Sequence, residues 1–222
     1  MTSRGGAALL AVLLVAFGSA VVVAGQRNEP PAALGTERLG PEFGEPVADY
    51  LRRAAESLPP PGADQVWALV QLDGYLEPGP AAELIPRTRL SQVVLRVALP
   101  GVQTSLIFRD VPGQHPAEEL AAAVRAAGLD RDRAAAQVPP GSRQAEVAAA
   151  EAVRLRAGCA CVLALLVRTD PATLHELSNH PAVRVVHAAA SDTPRQGLSV
   201  APLLPEQRDV VGPVADDGQV PP

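Results

Sequence analysis

Cys159 and Cys161 are the two cysteines of this 222-residue chain, and they flank one alanine in the stretch RAGCACVLALLVRTDP. In an extended strand, residues two apart point to one face with Cα atoms about 6.6 Å apart. That is near the upper limit for a disulfide. A local bond therefore requires the chain to bend at Ala160, and Gly158 beside it allows the bend. A ring that small is strained and easily reduced. A helix C-terminus comes just before the pair, and its partial negative charge raises a thiol pKa. The pair also lacks the two intervening residues of a C-x-x-C oxidoreductase motif. The residues predict two unreactive cysteines packed at the start of a strand. A local or intermolecular disulfide remains open, as does a thiol redox or copper-handling pair.

The remaining chemistry-bearing side chains are scattered. His175 and His180 are about 140° apart on a helix and share no ligand face. His187 joins Cys159 and Cys161 in a soft-metal set only if their strands are neighbours. His115 stands apart from all three. There is no Gly-x-Ser-x-Gly, no His-Glu-x-x-His and no phosphate-cradling glycine loop. The carboxylates Glu118, Glu119, Glu146, Glu151, Asp216 and Asp217 read as helix first turns and solvated faces. No catalytic residue, cofactor or metal is assigned, and the chain is expected not to be an enzyme.

The elements that hold these residues follow from periodicity. Residues 46–58 form a short helix with Val47, Tyr50, Leu51, Ala54 and Leu58 on one face, expected to pack on the domain that follows, the alternative being an amphipathic helix on the membrane or a partner. Val66–Tyr75 reads as a strand. Residues 78–86 hold at most a helical turn or two. Leu90–Leu99 is a strand with Val93, Leu95, Val97 and Leu99 on one face and Val94, Arg96 and Ala98 on the other. Pro100-Gly101 turns it into a third strand over 104–111. A helix then runs from His115 to a stop at Gly128, followed by a polar, proline-broken join. A second helix is capped by Ser142 and stopped by Gly158, its small face (Ala145, Ala148, Ala152, Leu155) expected to lie on a sheet. Cys161–Val167 has the unbroken apolar run of a central strand. Asp170-Pro171 starts a helix, and 183–189 is a strand parallel to the one before it. The order predicts an α+β fold: a mixed sheet with helices on one face, ferredoxin-like with a helical insertion, preceded by one transmembrane helix.

Domain limits follow. Gly5–Gly25 contains no charged residue and is long enough for a hydrocarbon core about 30 Å thick. Residues 1–25 are expected to be a membrane anchor with the rest outside, or else a cleaved signal segment. Residues 26–63 form a linker with the short helix, 64–190 the extracytoplasmic domain, and 191–222 a flexible, Pro/Gly/Asp-rich tail in which LSVAPLLP could dock. The net charge is −5 and aromatics are 3%, so nucleic acid is not expected as a partner. All 19 basic residues are arginine, a bias that reflects GC-rich coding.

The stretches CACVLALLVRTDPATLHELSNHPAVRVVHAA, ALVQLDGYLEP, LRVALPGVQT and PLLPEQRDVVGP resemble uncharacterised, single-pass membrane-anchored envelope proteins of high-GC Gram-positive bacteria. The resemblance implies location and architecture and no activity. The strand-helix-strand unit closing on HPAVRVV is also similar to the propeptide-like inhibitors of subtilisin-type proteases, although a long helical segment separates the halves here. The expected function is non-catalytic binding or scaffolding at the outer face of the cytoplasmic membrane, with residues 5–25 in the bilayer and a protein partner in the envelope. The alternatives are the thiol redox or copper-handling protein and the protease inhibitor.

Overall fold

The computed structural model describes residues 37–221 apart from 87, 113 and 114. The expected anchor at 5–25 and the linker up to 36 lie outside the described residues. Among the described residues no helix is long and apolar enough to cross a membrane.

The fold is α+β. Its centre is β5 (Val162–Thr169), an apolar run that β-branched and leucine side chains suit to a strand buried on both faces. β2 (Val66–Leu76) lies on one side of it and β3 (Arg89–Leu95) on the other. β4 (Ile107–Asp110) and β6 (Val183–Ala188) form the edges, giving the order β4-β3-β5-β2-β6. All four pairings in this sheet are antiparallel. The one parallel pairing lies in a separate two-stranded sheet of β1 (Glu37–Leu39) and β7 (Leu198–Val200). β5 and β6 run in the same direction, as the crossover between them requires, but β2 runs between them and pairs with both.

One face of the sheet carries α2 (Pro78–Glu83), α3 (Pro116–Ala136), α4 (Arg143–Arg156) and α5 (Pro171–Ser178). Val93, Leu95, Val97 and Leu99 join that core, while Val94 joins the core on the opposite face, as alternation along the strand demands. Local signals place the helix ends. Ser142 Oγ accepts from Ala145 N–H at 3.2 Å, Asp170 Oδ1 accepts from Thr173 N–H at 3.0 Å, and Gly158 takes φ +80° after α4.

Two expectations change. Gly128 does not stop a helix; α3 continues through it to Ala136. A Cβ there would lie 3.0 Å from Arg156 Cγ and 3.3 Å from Leu155 Cβ. The residue is small because the last turn of α4 crosses at that point. Correspondingly, α4, whose small face was expected to lie on a sheet, packs chiefly against α3.

The second face is closed by the two ends of the described chain. α1 (Val47–Glu56) packs Val47, Tyr50 and Ala54 against Val185, Leu203 and Val211. β1 and β7 cover Trp67, Leu69, Val94, Leu163 and Leu166. From residue 201 onward the chain is extended, as its composition suggests, but it is held along its length. Leu203 N–H donates to Gln71 Oε1, Val211 N–H to the Glu45 carbonyl, and Gly218 N–H to the Gly101 carbonyl at 2.7 Å. Arg143 pairs with Asp216 at 2.8 Å. The segment is a strap across the domain rather than a free tail.

The tightest crossing of the two ends is at Gly40, which has φ +132° and would place a Cβ 1.7 Å from the Ala201 carbonyl oxygen. Gly40→Ala is expected to cost at least about 3 kcal/mol. For a domain of this size that lowers the melting temperature by roughly 6–12 °C, measurable by circular dichroism on heating.

Candidate functional site

Cys159 and Cys161 are joined by a disulfide, with Cα atoms 5.3 Å apart. Among the alternatives left open by the residues, the local bond is present and the reduced, packed pair is not. The separation falls below that of a regular strand because the chain bends at Ala160, between the turn at Gly158 and the start of β5. Cys161 has no exposed surface and belongs to the helix-side core. Cys159 is half-buried, and Ala160 is exposed. The flanking backbone is tied down separately: Cys159 N–H donates to the Arg154 carbonyl at 3.2 Å, Cys161 N–H to Leu76 at 3.0 Å, and Arg96 N–H to Cys161 at 2.9 Å.

His187 does not join the cysteines. It pairs with Leu69 across β2–β6, whereas Cys161 lies beyond Leu76 at the other end of β2. At about 3.3 Å per residue the two are roughly 20 Å apart along the strand. His187 instead accepts the Gly40 N–H on Nδ1 at 3.0 Å and lies edge-on to Tyr50, the ring centroids 5.7 Å apart. Because Nδ1 is an acceptor, the neutral ring carries its proton on Nε2. Burial pushes the His187 pKa down to about 4, and the nearby charge of Arg53 adds to the shift. Among the described residues no group of three or more His, Cys, Asp or Glu side chains could hold a metal ion. Glu151, expected on a solvated face, is fully buried; it accepts Ser105 N–H and pairs with Arg131, each at 2.6 Å.

Arg96 belongs to no catalytic or metal-binding motif. It extends the alternation of β3 onto the strap side of the sheet, and its side chain is 3% exposed. Its guanidinium donates to Glu206 Oε1 at 2.7 Å and to the Tyr75 hydroxyl. The same hydroxyl donates to Glu206 at 3.0 Å. Burial pushes the Tyr75 phenol up to about 12, against the pull of the Arg96 charge. An arginine interrupting the apolar run VVLRVAL was the signal in the sequence; its partners on β2 and the strap were not adjacent in the chain.

Arg96 forms the common floor of two clefts, of about 720 and 750 Å³, separated by strap residues 212–214. The first is the more mixed. Phe43 and Leu106 line it with 81% and 39% of their surface exposed. Arg38, at its rim, donates to the Pro41 carbonyl at 2.9 Å and has no ion pair among the described residues. Gln103, Thr104 and Ser105 supply polar groups on the same wall. Such a cleft can hold an apolar side chain beside a hydrogen-bonding or anionic one.

The buried histidine gives the domain a defined acid sensitivity. The folded pKa is about 4 against an ordinary 6.5, so the unfolded chain binds the extra proton first, and stability falls as pH drops from about 6.5 toward 4 by roughly 3 kcal/mol. The carboxylates held low by arginine partners or capping bonds, such as Asp130, Asp170 and Asp216, contribute stability that is lost only below the ordinary carboxylate range. Urea unfolding between about pH 6.5 and 4.5 therefore isolates the histidine, and His187→Gln is expected to flatten the slope there. No protein-family model, curated protein or solved structure matches this chain.

Proposed function

We propose that the chain is a non-catalytic binding or scaffolding protein of the bacterial envelope, tethered by a single pass through the cytoplasmic membrane, with residues 37–221 on the outer side. The observation that carries the binding role is the first cleft. Phe43 and Leu106 open onto it, and exposed apolar groups gathered on a concave, polar-edged surface mark a place where a partner is held. The cation on its floor is already neutralised by Glu206, which suits a surface that holds a ligand better than one that moves protons.

The tether rests on the uncharged run Gly5–Gly25. The Cys159–Cys161 bond is in keeping with an oxidising compartment. We read the domain as ferredoxin-like with a helical insertion. β2 and β3 are joined through α2 and split by β5; β5 and β6 are joined through α5 and split by β2. β4, α3 and α4 are inserted between the halves, with α2 to α5 on one face.

Location and binding are tested separately. The full-length chain is expected in the membrane fraction after an alkaline carbonate wash, with its C-terminal domain digested by protease added to intact protoplasts. Recovery from the cytosol would overturn the tether, and a trimmed chain in the medium would replace it with a cleaved signal segment. For binding, the photocrosslinker p-benzoylphenylalanine placed at Phe43 in living cells is expected to trap a discrete protein adduct. The same residue placed at exposed Arg125 on α3 is expected to trap none. No adduct from position 43 would count against the cleft.

A further inference from the structure

We infer that the Cys159–Cys161 bond is a thiol–disulfide exchange site that accepts two electrons from a dithiol of another protein, through a mixed disulfide on Cys159.

Three observations lead there. First, the bond joins residues two apart, so the chain-entropy stabilisation it can give is roughly half that of a loop of about fifteen residues. It is poorly suited to holding the fold. Second, the fold is held without it. Gly158 and Cys159 amides close the end of α4 on the Leu155 and Arg154 carbonyls, each at 3.2 Å, and Cys161 is paired on both sides, to Leu76 and Arg96. None of these hydrogen bonds involves a sulfur atom. Third, the two cysteines differ in exposure. Cys161 is fully buried, while Cys159 is half-buried beside exposed Ala160 and follows the exposed Ala157 and Gly158. Burial closes Cys161 to a thiolate arriving from solution, whereas the partly exposed Cys159 leaves an approach.

The chemistry follows from that asymmetry. A partner thiolate attacks Cys159 Sγ; the S–S bond breaks, and its electron pair leaves with Cys161 Sγ, which takes up a proton. The partner's second thiolate then attacks its own sulfur in the mixed disulfide and releases Cys159, which is protonated in turn. The partner's dithiol becomes a disulfide, and Cys159 and Cys161 become thiols. The helix C-terminus before Cys159 disfavours a thiolate there, so Cys159 is suited to being attacked rather than to attacking. The exchange is a property of the pair itself. Only the identity of the partner, a dithiol on another exported protein, rests on the proposed location.

The test uses the oxidised full-length chain in detergent micelles, with dithiothreitol as the dithiol probe. Stoichiometric dithiothreitol is expected to open the bond under native conditions, with Cys159 then alkylated by a maleimide, Cys161 alkylated only after denaturation, and the native far-UV circular dichroism unchanged by reduction. Site preference is read on the oxidised wild-type chain treated with reduced glutathione and quenched with acid: peptide mass spectrometry is expected to place the mixed disulfide on Cys159 in at least about tenfold excess over Cys161. A bond that opens only on unfolding, an adduct on Cys161, or loss of secondary structure on reduction would each overturn the inference. Because purified chain is used, these results are independent of where the protein is found in the cell.

Discussion

Gln71 sits in the middle of β2 with no exposed surface, surrounded by Leu69, Val70 and Leu72. A primary amide in that position must be satisfied at both ends, since each unmatched buried group costs about 1–3 kcal/mol. Its oxygen accepts the Leu203 N–H at 2.5 Å, and its nitrogen donates to the Tyr50 hydroxyl. Tyr50 in turn lies against His187, whose Nδ1 takes the Gly40 N–H. One buried side chain thereby ties together β2, α1, β6, the turn after β1 and the C-terminal strap. The amide is satisfied at both its oxygen and its nitrogen only when both ends of the described chain are in place.

Closure of the second face matters because the sheet is apolar on both sides. Leu163 and Leu166 of β5 face one way and Leu165 and Val167 the other, and the four side chains have no exposed surface. α2 to α5 bury one set. The other would be an open apolar surface of the kind that drives aggregation without α1, β1, β7 and the strap. The strap does not lie flat, however. It is pinned near Val211 and again near Asp216, and the span between passes over Arg96. The clefts are the space left beneath that span, so the proposed binding surface is a by-product of how the second face is covered.

The two sites sit on opposite faces of one strand junction. Arg96 and Cys161 share a backbone hydrogen bond, yet the Arg96 side chain turns to the strap and the Cys161 sulfur to the helices. The bend at Ala160 takes Cys161 out of the period-two alternation, so that it joins the same core as the adjacent Val162. Binding in the cleft and exchange at the disulfide are therefore chemically separate, though they rest on the same pair of strand ends.

The sequence alone determined the strands and helices, because their signals are local. The apolar run after Cys161, the Asp170-Pro171 start, the Ser142 cap and the Pro100-Gly101 turn each act within a few residues. It also made Ala160 the place where a local disulfide had to bend. What it left open was set by partners distant in the chain. Whether Cys159 and Cys161 bonded depended on the folded chain holding their Cα atoms 5.3 Å apart. Gly128 reads locally as a helix stop, and only the crossing of α4 shows that it is there for space. Residues 191–222 read as a tail because Pro, Gly and Asp carry no periodicity; their order comes from Gln71, Arg96, Gly101 and Arg143. The insertion of β2 between β5 and β6, and with it the placing of His187 far from the cysteines, is likewise tertiary. Local signals specify elements through nearest-neighbour sterics and hydrogen bonding, whereas pairing order and buried polar partners depend on contacts between residues that meet only once the chain has folded.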